Sequence, residues 1–122
     1  MTWTWSRLGI CAAALLAASC ATTQSRYVLL GQVYPLIPEK QDVVVFREGR
    51  PERPFVKVSR LDVHLEKTHF IGSGLEDALP ELKRQARLSG AGAIIDIQER
   101  SSMVGETRIY HVTATGIRYQ EP

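Results

Sequence analysis

Apolar residues in the middle of the chain keep a two-residue period but change parity part-way. Val56 and Val58 hold even positions, whereas Leu61, Val63 and Leu65 hold odd ones. Side chains alternate strictly between the two faces of a strand, so both sets reach one core only if an extra residue is inserted near Ser59 or Arg60. The pattern predicts a strand with a β-bulge at that point, or else a strand buried on both sides at one end. Upstream, Val43 to Phe46 is β-branched and aromatic, and Arg47 to Pro54 is a charged stretch with Gly49, Pro51 and Pro54 ahead of Phe55. That order predicts a hairpin with a long, solvated loop. Tyr27 to Leu30 reads as an extended lead-in or one edge strand, because Pro35 and Pro38 beyond it deny donors to a sheet.

The period then changes to that of a helix. Leu75, Ala78, Leu79, Leu82 and Ala86 form one apolar stripe, with Glu81, Lys83, Arg84 and Arg87 around the other side. Ser73 and Glu76 match a capping box, but a helix starting there carries Pro80 inside it at a cost of about 3 kcal/mol. Asp77 as N-cap places Pro80 in the first turn, where no donor is needed. The expectation is a distinct first turn from Leu75, regular helix from about Ala78 to Ser89, and Gly90 as the closing residue. Ala93 to Glu99 then reads as a strand, residues 100 to 106 as a turn and Thr107 to Tyr119 as a longer strand. The fold class is α+β, an antiparallel sheet of about four strands with one amphipathic helix on a face.

The amino-terminal end has a different character. Arg7 precedes an apolar or small-residue run from Leu8 to Ala18, 11 residues long. A helix of that length rises about 16 Å, against a hydrocarbon core of roughly 30 Å, so the run reads as the h-region of a removable leader over residues 1–19. Leu16-Ala17-Ala18-Ser19-Cys20 resembles the bacterial lipobox, which makes Cys20 the lipidation site and the first residue of the mature chain. Cys11 fits worse, since bulky Ile10 precedes it and cleavage there would leave Ala12 to Ala18 in the product. The competing reading is an ordinary secretory leader that leaves Cys20 as a free thiol, a liability in an oxidising compartment. Acyl chains bury about 0.8 kcal/mol per methylene, so dual acylation gives stable membrane anchoring. Ala21 rather than Asp after the cysteine favours the outer membrane, periplasmic face, in the Gram-negative pattern this resembles. Residues 20–26, rich in Ser, Thr and Gln, read as a tether, leaving 27–122 as a single domain.

The chain of 122 residues carries 15 Lys and Arg, of which 14 remain against 13 Asp and Glu once Arg7 leaves with the leader. This balance does not suggest a nucleic-acid binder, whose phosphate contacts need clustered basic residues. The length suits one core without a metal or disulfide staple.

From Ala78 to Arg118 the chain shows a helix with Ala78, Leu79, Leu82 and Ala86, a turn with Gly90 and Ala91, a strand with Ala93, Ile94 and Ile95, and a last strand with Val112, Ala114, Thr115 and Gly116. This string resembles the bacterial family named for a heavy-metal-binding domain, and the envelope-stress lipoproteins of the Rcs phosphorelay are similar in the same segment. The match covers about a third of the chain, at packing and turn positions, so it implies fold more than function. Members of the metal-named family also assemble as rings, which leaves a homo-oligomer open. The Rcs lipoproteins rely on disulfides, whereas the mature chain here has no second cysteine.

Metal chemistry would need imidazoles and carboxylates, and the candidates are His64, His69 and His111 with Asp62, Glu66 and Asp96. Asp62, His64 and Glu66 alternate onto one strand face and would meet His111 if the last strand pairs alongside, giving a weak zinc or copper site. The plainer reading is a solvated sheet face opposite Leu61, Val63 and Leu65. No nucleophile elbow is present, and two glycines at Gly72 and Gly74, or at Gly90 and Gly92, read as turns rather than phosphate loops. Arg47, Arg50 and Arg53 could touch lipid phosphate, but Glu48 and Glu52 interleave and weaken the field. The sequence thus points to a non-enzymatic, lipid-anchored periplasmic domain acting through an envelope protein partner, in structural or stress-sensing service, with metal capture as the alternative.

Overall fold

A computed structural model of the chain describes residues 21–67 and 74–121. The leader 1–19, Cys20, His69 and Ser73 lie outside the described residues. Five strands and one helix follow in the order β1 (Ala21–Leu29), β2 (Val44–Val45), β3 (Phe55–Lys67), α1 (Leu75–Ser89), β4 (Ala93–Val104) and β5 (Thr107–Tyr119). They form one sheet ordered β1-β3-β5-β4-β2. All pairings are antiparallel except β2 with β4, which is parallel. The class is α+β, with one strand more than the pattern predicts and one parallel edge.

The parity change in β3 resolves as expected. Register with β5 shifts between Lys57 and Ser59, one residue from the predicted position, and Val56, Val58, Leu61, Val63 and Leu65 all join one core. Ser59 is fully buried there, and its hydroxyl donates to Ser89 Oγ at 2.7 Å, because that hydroxyl in turn donates to Ala86 O at 3.0 Å. Gly116 pairs with Ser59, and a Cβ at Gly116 would come within 2.6 Å of the serine Oγ and 2.8 Å of Ala91 Cβ. Only glycine lets the helix end and the two strands approach this closely.

Helix α1 lays Ala78, Leu82 and Ala86 on that same face, against Ile94, Val112 and Ala114. Its start differs from the expectation. Gly74, in extended conformation, is the N-cap, and Asp77 sits three residues in, where its N–H donates to Gly74 O and its Oδ2 accepts from Gly74 N–H, each at 3.0 Å. Asp77 is therefore the reciprocal partner of the cap rather than the cap itself. Pro80 consequently lies inside the helix, on an exposed position where water can take the carbonyl it leaves without a donor. Gly90 closes the helix in the left-handed region at φ 86, its N–H donating to Arg87 O, as expected of a C-cap. Gln85, buried among these apolar residues, uses its carboxamide as a strand would use a peptide. Its Oε1 accepts from Asp62 N–H at 3.0 Å, and its Nε2 donates to Asp62 O at 2.8 Å and to Ser25 Oγ.

Four further expectations are corrected. Residues 21–26 are not a free tether but most of β1, paired with β3 from Ala21↔Lys67 onward. Val44 and Val45 form no hairpin with Phe55; they cross to the far edge and pair with Ala93 and Ile94. Residues 100 to 104 continue β4, so the turn shrinks to Gly105 and Glu106, with Gly105 at φ 62. The Arg47 to Pro54 loop is solvent-exposed apart from half-buried Pro51, as expected, but it is not the tip of a hairpin. It crosses the sheet from β2 to β3, and the Phe46 and Phe55 that flank it pack with Tyr119 on a second, smaller core of Ala93, Ile95 and Ile117, on the sheet face away from the helix. Arg47 pairs with Glu76, Arg50 with Asp96 at 2.7 Å, and Arg53 stacks 4.1 Å above the Tyr119 ring. All three loop arginines are thus spent within the molecule.

Candidate functional site

The strap formed by this loop covers only one end of the face opposite the helix. From Arg60 to Glu66 in β3, and in the matching parts of β5 and β4, that face stays open. Two bulges decide which side chains it presents. The β3 bulge sends Arg60, Asp62, His64 and Glu66 outward while Leu61, Val63 and Leu65 go inward. In β4 the register shifts between Ile95 and Gln98, around Asp96, whose backbone is in the left-handed region at φ 53. Asp tolerates that conformation better than most residues, and both of its carboxylate oxygens accept from Arg50, at 2.7 and 3.3 Å. The extra residue puts Gln98 beside Thr113 and Arg100 beside His111 on the open face, and returns Ile97 to the helix side.

The sequence-predicted tetrad does assemble. His64 is the direct cross-strand partner of His111, with ring centroids 5.7 Å apart and planes tilted by 59°. Asp62 Oδ1 lies 2.8 Å from His111 Nε2, and Glu66 Oε1 lies 3.0 Å from His64 Nε2. Each side chain is about one-third to one-half exposed. The arrangement is two adjacent imidazole–carboxylate couples rather than four ligands aimed at one point. Among the described residues no group of three or more His, Cys, Asp or Glu is placed to hold a metal. A zinc or copper ion here would have to displace a carboxylate from each Nε2, so the residues present do not fit a metal centre as they stand. Asp96, the other acidic candidate, belongs to the Arg50 couple instead.

Beside the tetrad the face sinks into two adjoining depressions of about 460 and 340 Å³ that share Arg60, Gln98 and Thr113. Lys57, Thr115 and the Arg50–Asp96 pair also line the first, with Ile97 and Ala114, and Asp62, Arg100 and His111 line the second with Glu99, whose carboxylate accepts from Tyr110 OH. Lys57, Arg60 and Arg100 make no ion pair among the described residues, whereas Asp62 and Asp96 are both engaged. The trough therefore offers spare cationic donors alongside the neutral hydrogen-bonding groups of Gln98, Thr113 and Thr115. Arg60 could have been found from the sequence, since it shares the parity of Asp62 and His64. Arg100, Gln98 and the Arg50–Asp96 pair could not, because their place depends on the second bulge and on the loop crossing the sheet.

Comparison of the chain with protein-family models, curated proteins and solved structures finds no match. The functional reading accordingly stands on the geometry and on the residues themselves. No helix among the described residues is long and apolar enough to cross a membrane.

Proposed function

We propose that this protein is a non-enzymatic lipoprotein domain, held through acylated Cys20 on the periplasmic face of the outer membrane, that binds an envelope protein through the open face of its sheet. The observation that carries the reading is the contrast in charge pairing on that face. Arg47 and Arg50 are paired with Glu76 and Asp96 and Arg53 stacks on Tyr119, while Lys57, Arg60 and Arg100 make no ion pair among the described residues around a polar trough. A surface of this kind suits a partner presenting carboxylates, since guanidinium groups bind them bidentately and steer their approach. The leader pattern supports the location, and a strand described from Ala21 onward supports a short connection to an anchor at Cys20.

The test is photo-crosslinking in cells, with a photoreactive side chain introduced at Thr113 or Arg100 on the open face and, for comparison, at Arg84 on the solvent side of the helix. A discrete protein adduct is expected from the two sheet positions and not from the helix position. Equal adducts from all three positions, or none, would overturn the reading.

A further inference from the structure

The strand register places one end of the molecule against whatever Cys20 is fixed to. Ala21 pairs with Lys67, Lys67 with Arg108 and Arg108 with Met103, so a single row crosses β1, β3, β5 and β4. Strands stand about 4.8 Å apart, which puts Met103 roughly 14 Å sideways from Ala21 at the same height along the strands. Val104, Gly105 and Glu106 continue past that row, at about 3.3 Å per residue. Met103 and Val104 are 44 % and 63 % exposed, two apolar side chains at a tip whose neighbours are Ser101, Ser102 and Glu106.

We propose that the β4–β5 hairpin tip, through Met103 and Val104, is a membrane-contact finger that seats the domain end-on upon the bilayer anchored by Cys20. This rests on the acylation of Cys20 argued above. Ala21 follows Cys20 directly in the chain, so the anchor and the row lie at the same end of the sheet, and a hairpin reaching past that row meets the same lipid surface. The other exposed apolar side chains of this part of the chain, Val28, Leu29, Leu30, Val33 and Leu36, follow from the opposite end of β1. That end is about 26 Å from Ala21 along the strand, out of reach of a surface touched by the tip. This end carries little net charge: Lys67 is paired with Asp77 at 3.5 Å, and Glu106 in the turn offsets Arg108 in the row, which makes no ion pair among the described residues. The finger therefore works by burying apolar surface, and its contact should be insensitive to salt. The acyl chains supply the hold, and the tip supplies the orientation, leaving the open face upright and accessible.

The test uses the full chain, processed in cells, purified and reconstituted into vesicles of phosphatidylethanolamine and phosphatidylglycerol. An environment-sensitive fluorophore is attached at Val104→Cys, at Met103→Cys, or at Gln120→Cys at the far end of the sheet, and is challenged with a spin-labelled lipid. The tip probes should be quenched several-fold more strongly than the Gln120 probe, and equally so at low and high salt. Mass analysis of the amino-terminal peptide is run on the same samples. Absence of acyl mass on Cys20 overturns the anchor and this inference with it. An acylated, vesicle-bound protein whose tip probes are no better quenched than the Gln120 probe, or whose contrast vanishes with salt, overturns the finger alone.

Discussion

The two faces of the sheet are made from the same three strands and behave as different materials. On the helix side Leu61, Val63, Val112 and Ile94 are fully buried, and even the polar members, Ser59 and Gln85, have their hydrogen bonds met by the protein. On the other side, one residue further along each strand, Asp62, His64 and His111 meet in couples that water reaches. The difference comes from two inserted residues. Without the bulge at Val58 the inward set of β3 would change face part-way, and without the one at Asp96 the outward set of β4 would do so. Bulges here sort side chains between a face that holds the fold and a face left open to solvent.

The contrast can be broken first from the covered side. Leu82→Ala removes a fully buried side chain from the centre of the helix stripe and should cost about 2 to 5 kcal/mol, read as a lower urea midpoint with little change in slope. Next in size is Gln85→Leu. It keeps the volume but leaves Asp62 N–H and C=O without the carboxamide, and should cost about 1 to 3 kcal/mol in the same measurement. An effect below a few tenths of a kcal/mol would mean that β1 alone satisfies those groups. The smallest effect is expected on the open face. His64→Ala combined with His111→Ala should change stability by less than about 1 kcal/mol, because both couples are partly solvated. In that pair of proteins a zinc titration followed by backbone NMR should give the same weak response; saturable shifts confined to His64 and His111 in the unsubstituted protein would instead establish a metal site and recast the open face.

Local alternation made much of this readable in advance. The parity change between Val58 and Leu61 located a bulge to within a residue, and the Asp62, His64, Glu66 alternation located one edge of the open face. What stayed hidden depends on contacts distant in sequence. Val44 and Val45 look like half of a hairpin with Phe55, but nothing local says that two residues will cross to the far edge and pair in parallel with Ala93 and Ile94. Residues 21–26 lack an apolar period because β1 is an edge strand with little to bury, so its composition reads as a tether. The same blindness hid the loop over the second core: Arg50 finds Asp96 46 positions away, and only the fold brings them together. Asp77 was misplaced by three residues because either of two helix starts satisfies the same side chain, and the extended backbone at Gly74 decides between them.

The placement of β1 also has a mechanical consequence. A pull applied at Ala21 along the strand axis acts parallel to β1 and across its ladder to β3, which runs over nine residue pairs from Ala21↔Lys67 to Leu29↔Ser59. The hydrogen bonds of an antiparallel ladder stand perpendicular to the strands, so such a load shears them together instead of opening them one by one. Tension arriving at Ala21 is thereby spread along the whole edge strand. A pull at Leu29, directed away from the sheet, would peel the same strand bond by bond.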